Sequence, residues 1–168
     1  MKTLMIMIGI SLLFSATVAK GQQTIIPSVK LLTPEFSNVN SKTLLDGHEM
    51  VILIFWKTSD KKCCCHISSM IEAKEQMLQG ENVKIIGICS GEGGTVCHIK
   101  PFVAGRDWEM EVYIDTNDDL KRAMGIPGTP YTIVFDENGK VVCQYNGYCI
   151  GSEELICEKL QVHLAMNN

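Results

Sequence analysis

A strand-like apolar segment that runs straight into a cysteine-rich helix start constrains the fold more than any other feature of this chain. The segment Met50–Trp56 is almost continuously apolar, as in a strand covered on both faces. Apolar residues then recur at helical spacing from Ile67 to Leu78. Between these two segments lie three adjacent cysteines, Cys63, Cys64 and Cys65. Because free N–H groups and partial positive charge at a helix start favour thiolates, the junction indicates a protein with reactive thiols.

The N-terminal residues 1–21 have the pattern of an export signal. Lys2 precedes an apolar run from Leu4 to Phe14, and small residues follow as far as Ala19. The apolar run is short for a membrane span, and an uncleaved N-terminal anchor is the alternative interpretation. We therefore expect a signal peptide at 1–21, one domain at 22–168, and export to the periplasm or the extracellular space.

Composition and charge narrow the function classes. The chain has 15 lysines and arginines against 19 acidic residues and no basic block, so nothing supports nucleic-acid binding. No nucleotide, flavin or haem motif is present, and we expect no cofactor. All eight cysteines lie within 22–168, where export would allow disulfides to persist, but their spacing does not give the pairing. Cys89 and Cys157 fit best as small buried packing residues.

The order of the remaining elements indicates an α/β fold. After the first helix we expect strands at Val83–Cys89 and Glu111–Asp115, a hairpin of Tyr131–Phe135 with Lys140–Tyr145, and a closing helix from Ser152. Parallel crossovers followed by an antiparallel hairpin predict a central mixed sheet flanked by helices.

Three motifs in this order carry a resemblance to a known family. They are the strand ending in Phe55–Trp56, the turn Gly128–Pro130 before a strand, and the hairpin Asp136–Val142 followed by Gly147. On these motifs the chain resembles thioredoxin-fold proteins of the secreted TlpA/ResA-like thiol-disulfide oxidoreductase type. The resemblance implies a thioredoxin-like fold, protein thiols or disulfides as substrates, and an electron-donor protein, such as one in the membrane.

The resemblance also implies roles for individual residues. The family's cis-proline lies beside the active thiol and the residue before it offers backbone groups to the bound peptide; these roles fall on Pro130 and Thr129. Family members read Phe-Trp, three residues, then Cys-x-x-Cys. Laid without gaps, this chain places Asp60 at the first cysteine and Cys63 at the second. An aspartate forms no mixed disulfide, so we expect Asp60 to cap the helix instead.

Three hypotheses follow for the cysteine cluster, and we favour the first. In it, Cys63 attacks substrate disulfides, Cys64 or Cys65 resolves the mixed disulfide, and Lys61 and Lys62 lower the pKa of Cys63. A variant has the helix begin three residues later, which would make Cys63–His66 a Cys-x-x-His motif.

The two other hypotheses do not need exchange chemistry. One is a copper or other metal site with Cys63, Cys65 and His66 as ligands. The other is a redox-inactive fold that has lost its nucleophile and binds a partner or builds structural disulfides, as the aspartate at position 60 suggests.

Overall fold

The computed structural model describes residues 26–91 and 96–167. The predicted signal peptide, residues 1–21, lies outside this part of the chain. Within the described ranges, no helix is both long enough and apolar enough to cross a membrane.

The described residues form seven strands, one 3₁₀ helix and four α-helices. The strands are β1 (Lys30–Leu32), β2 (Asn38–Asn40), β3 (Met50–Trp56), β4 (Val83–Ser90), β5 (Glu111–Asp115), β6 (Tyr131–Phe135) and β7 (Val141–Asn146). The 3₁₀ helix is Ser41–Leu45, and the α-helices are α1 (Lys61–Met77), α2 (Val96–Ala104), α3 (Asp119–Ala123) and α4 (Ser152–Asn167).

The strands form one mixed sheet in the order β2-β1-β5-β4-β3-β6-β7. The central pairs β3–β4 and β4–β5 are parallel, whereas β6 and β7 extend the sheet antiparallel to β3. This arrangement confirms the prediction of a central mixed sheet flanked by helices. The carboxyl ends of β3 and β4 lie at the same edge, and α1 starts there, immediately after β3.

Strand β3 lies at the centre and contributes to both faces of the sheet. Its side chains alternate, so that Ile52, Ile54 and Trp56 join the hydrophobic cluster beneath α1 and α4. Leu53 and Phe55 join the cluster on the opposite face, which α3 and the 3₁₀ helix cover. All seven residues of β3 are buried, as the continuous apolar run predicted.

One strand differs from the sequence prediction, and the start of α1 agrees with it. Strand β2 was not expected, because its Asn-Val-Asn sequence lacks a strand-like apolar alternation and it pairs only at the edge of the sheet. Helix α1 begins at Lys61, directly after the predicted cap residue and before the apolar periodicity that starts at Ile67. Its first turn is set by the cap residue Asp60 rather than by apolar spacing.

Candidate functional site

The first turn of α1 is held by Asp60, as predicted. The Asp60 carboxylate accepts a hydrogen bond from the backbone N–H of Lys62 at 2.8 Å. The Asp60 carbonyl accepts the first helical bond from the N–H of Cys64 at 3.2 Å. The variant in which the helix begins three residues later is therefore wrong, because the capped turn already includes the cysteines.

The three adjacent cysteines point in three directions. Successive residues of an α-helix are rotated by about 100° around its axis. Cys63 points into the core and is 0% exposed, Cys64 is half-buried, and Cys65 is exposed to solvent. All three are thiols in the structure. The fold thus makes one buried, one intermediate and one accessible sulfur out of a single sequence cluster.

Burial dominates the electrostatics of Cys63. Removal from water raises the pKa of the Cys63 thiol to about 11, and the nearby Asp60 carboxylate adds to this increase. The backbone of Lys57 and the side chain of Thr129 oppose this increase without cancelling it. The predicted lowering of this pKa by Lys61 and Lys62 is wrong, because both lysines are exposed to water while the thiol is not.

Cys64 has a related but milder environment. Partial burial raises the pKa of the Cys64 thiol, and the positive charge of Arg106 acts in the opposite direction. Arg106 itself stacks on the ring of Phe102, with its guanidinium carbon 3.6 Å from the ring centroid. A cationic and aromatic surface therefore lies next to the half-buried thiol.

The fold brings Thr129 and Pro130 to the start of α1. Tyr131, which follows this turn, lies in register with Phe55 near the end of β3, and the side chain of Thr129 acts to lower the pKa of Cys63. The Thr129–Pro130 peptide bond is cis, and the carbonyl of Pro130 accepts a hydrogen bond from the N–H of Gly147 at 2.8 Å. Cys63 and Thr129, which are 66 positions apart in sequence, thus lie in the same part of the fold.

His66 is a buried anchor rather than a free ligand. Its Nε2 is 2.7 Å from Thr132 Oγ1 on β6, and its ring centroid is 5.2 Å from that of Tyr148. Desolvation lowers the pKa of His66 to about 4, with the Glu153 carboxylate opposing the shift, so the imidazole is neutral near pH 7.

The metal hypothesis loses its support in this geometry. Across residues 26–91 and 96–167, no group of three or more histidine, cysteine, aspartate or glutamate side chains is arranged to hold a metal ion. The alternative ligand set of Cys63, Cys65 and His66 does not converge, because Cys65 faces solvent while the other two side chains are buried.

Cys89, predicted from the sequence to be a packing residue, lies at the same edge of the sheet as the start of α1. It lies near the end of β4, in register with Trp56 at the end of β3. Burial raises the pKa of Cys89 to about 12, and the sulfur of Cys63 contributes to that increase. This position could be predicted from the sequence, because neighbouring parallel strands end at the same edge of a sheet.

Comparison with known proteins agrees with this architecture. The sequence matches the AhpC/TSA family over residues 23–144. No curated protein shows significant similarity to the chain.

Solved structures with the same fold include several thiol-active proteins. An uncharacterized thioredoxin-like protein from Porphyromonas gingivalis is 31% identical, with a TM-score of 0.70 over 81% of this chain and 90% of its own. A putative thiol:disulfide interchange protein DsbE from Chlorobium tepidum is 20% identical, with a TM-score of 0.67 over 82% and 93%. A secreted disulfide oxidoreductase from Mycobacterium tuberculosis is 14% identical, with a TM-score of 0.64 over 80% and 96%.

These matches confirm the thioredoxin-like fold that the three sequence motifs implied. The family match covers most of the chain, including the start of α1 and the Thr129–Pro130 turn. The chain belongs to the AhpC/TSA family and has the thioredoxin-like fold of thiol–disulfide oxidoreductases.

Proposed function

We propose that this protein is exported and carries out thiol–disulfide exchange on protein thiols through the cysteine cluster at the start of α1. Cys63 is the proposed reactive sulfur, and Cys64 and Cys65 are the other thiols of the cluster. Thr129 and Pro130 form the proposed wall against which the substrate backbone docks. The observation that carries the proposal is that Tyr131, directly after the cis Thr129–Pro130 bond, lies in register with Phe55 near the end of β3, so that the cis-proline turn and the start of α1 lie at the same edge of the sheet.

The raised pKa of Cys63 bears on the direction of exchange. Strongly oxidising members of this class have a low-pKa thiol, which stabilises their reduced form. The Cys63 thiol has the opposite property, because its burial disfavours the thiolate. We therefore propose that the protein acts as a reductant of substrate protein disulfides, replenished by an electron-donor protein, such as one in the membrane.

Two observations support export. Residues 1–21 have the composition of a signal peptide. The similar Mycobacterium tuberculosis oxidoreductase is a secreted protein. Export would also place the eight cysteines in a compartment where protein disulfides, the substrates of the proposed exchange, can persist.

Reduction of insulin disulfides tests the proposed activity. In Cys63→Ser, we expect the rate of insulin precipitation with a thiol reductant to fall to the rate without protein, because the attacking sulfur is gone. Cys157→Ser is the matched control, since Cys157 is also 0% exposed and belongs to the same core cluster. A Cys63→Ser protein as active as the wild type would overturn the assignment of Cys63.

The second candidate function is binding without redox chemistry. It is favoured by the full burial of Cys63 together with the aspartate at position 60. If the folded wild-type protein does not accelerate insulin reduction at neutral or alkaline pH, this candidate replaces the first.

A further inference from the structure

The cysteines next to Cys63 in sequence are poorly placed to form a disulfide with it. Cys63, Cys64 and Cys65 all lie within the regular helix α1. Side chains one or two positions apart on a helix do not face each other, and those of Cys63 and Cys65 lie in the core and in solvent, respectively. A partner for Cys63 therefore has to come from another element, unless the first turn unwinds.

Cys89 is the thiol that the fold brings to Cys63. The two side chains are 0% and 2% exposed and belong to the same hydrophobic cluster. Cys89 lies in register with Trp56, the last residue of β3, and Cys63 lies in the first turn of α1, which begins shortly after Trp56 at Lys61. Both cysteines thus lie at the carboxyl end of β3, and the backbone of the segment that follows β3 acts on both, since Lys57 lowers the pKa of Cys63 and Thr58 lowers that of Cys89.

The environment of Cys89 also distinguishes it from the other buried cysteines. The sulfur of Cys63 acts electrostatically on Cys89. For Cys157 the corresponding influence comes from Glu153, and for Cys143 it comes from Lys159. The positions in the fold differ in the same way: Cys143 lies opposite Val134, which pairs with Ile52 in the first half of β3, and Cys157 lies on α4 rather than on the sheet.

We propose that Cys63 and Cys89 form the intramolecular dithiol–disulfide couple of this protein, with Cys89 as the resolving cysteine. The inference rests on the proposed thiol–disulfide exchange at the same site and replaces Cys64 and Cys65 in the resolving role.

The exchange proceeds in two steps. The Cys63 thiolate attacks one sulfur of a substrate protein disulfide, a mixed disulfide forms, and the other substrate sulfur leaves as a thiolate that takes up a proton. The Cys89 thiolate then attacks the sulfur of Cys63, and the second substrate thiol is released. Two thiols of the chain are oxidised to one disulfide, two electrons reduce the substrate disulfide, and the two protons end on the substrate thiols. A donor dithiol reverses these steps.

Peptide mapping after equilibration with glutathione tests the couple. The full chain is held in oxidising or reducing glutathione buffer, its thiols are trapped by alkylation, and tryptic peptides are sequenced by mass spectrometry. Because tryptic peptides 63–74 and 85–106 each contain more than one cysteine, the cross-link is assigned by fragmentation and repeated in Cys97→Ser. We expect a Cys63–Cys89 cross-link that forms in the oxidising buffer and disappears in the reducing one.

Variants of Cys89 make the test specific. In Cys89→Ser, and in Cys89→Ala as a second replacement, we expect loss of the cross-link and accumulation of Cys63 as a mixed disulfide with glutathione, since no resolving thiol remains. Cys157→Ser should retain the cross-link at the wild-type level, and circular dichroism checks that each variant is folded. A cross-link from Cys63 to any other cysteine, or a Cys63 that stays a thiol in the oxidising buffer, would overturn the inference.

The outcome is separable from that of the proposed function. Insulin reduction that needs Cys63 but is unchanged in Cys89→Ser, with no cross-link formed, refutes the couple and leaves the activity standing. A reversible Cys63–Cys89 cross-link in a protein that does not reduce insulin supports the couple and refutes the activity.

Discussion

At the scale of single residues, burial outweighs the charge pattern around the site. A helix N-terminus and two neighbouring lysines favour a thiolate, yet the pKa of Cys63 is raised because its sulfur is removed from water. Cys89 follows the same rule at the end of β4. In this fold the reactivity of a cysteine depends first on where its side chain points.

The pH dependence of Cys63 alkylation follows from its raised pKa. Since the thiolate is the reacting form, we expect the rate of Cys63 alkylation in the native protein to rise by about tenfold for each pH unit below a pKa of about 11. Time-resolved alkylation followed by mass spectrometry of peptide 63–74 measures this rate. In urea, where burial is lost, Cys63 should react far faster at neutral pH. A native rate that levels off near pH 7 would contradict the raised pKa.

At the scale of elements, the start of α1 combines a helix cap with a charge close to the thiol. Asp60 accepts a hydrogen bond from Lys62 N–H, and its negative charge raises the pKa of Cys63. The two effects belong to one side chain but have different physical origins. They can therefore be separated by substitution.

Asp60→Ala and Asp60→Asn distinguish the cap from the charge. Asp60→Ala removes both, and we expect a loss of about 1 kcal/mol in the free energy of unfolding together with faster alkylation of Cys63. Asp60→Asn keeps a capping oxygen and removes only the charge, so its stability should stay close to that of the wild type while Cys63 still reacts faster. Urea unfolding and alkylation kinetics provide the two measurements. Equal destabilisation by both substitutions would refute the capping account.

At the scale of the whole molecule, helix α1 is anchored to the sheet by more than apolar packing. His66 reaches Thr132 on β6, and Ser69 is 3.0 Å from the hydroxyl of Tyr148. The first contact joins the helix that carries the cysteines to β6, the strand that follows the Thr129–Pro130 turn, and the second joins it to the loop between β7 and α4. The position of the candidate site therefore depends on the stability of the complete domain.

Acid destabilisation through His66 tests this coupling. The pKa of His66 is about 4 in the folded protein, below its value of about 6.5 in an unfolded chain, so the unfolded state binds more protons between these values. We therefore expect protonation of His66 to lower the free energy of unfolding by roughly 3 kcal/mol as the pH falls from above 6.5 to 4. Denaturant unfolding across this range should show a flatter pH profile for His66→Gln.

A surface histidine provides the control for this measurement. His98 is exposed on α2, and His98→Gln should keep the wild-type pH profile. If His66→Gln retains the full wild-type slope, another group causes the acid destabilisation.

Local patterns in the chain predicted most of the elements. The apolar run of β3, the turn between β6 and β7, and the cap at Asp60 each depend on residues close together in sequence, and the structure confirms all three. Strand β2 was not predicted because a short polar edge strand is stabilised by its pairing with β1 rather than by its own residues.

The chemistry of the cysteines depended on contacts that no local pattern contains. The sequence established a thiol cluster at a helix start, because strand, cap and helix follow one another along the chain. Only the tertiary structure decided that Cys63 is buried, and that the Thr129–Pro130 turn and Cys89 lie with it at the carboxyl end of β3. The physical reason is that exposure and pKa are set by all the atoms around a sulfur, and those atoms come from strands and turns distant in sequence.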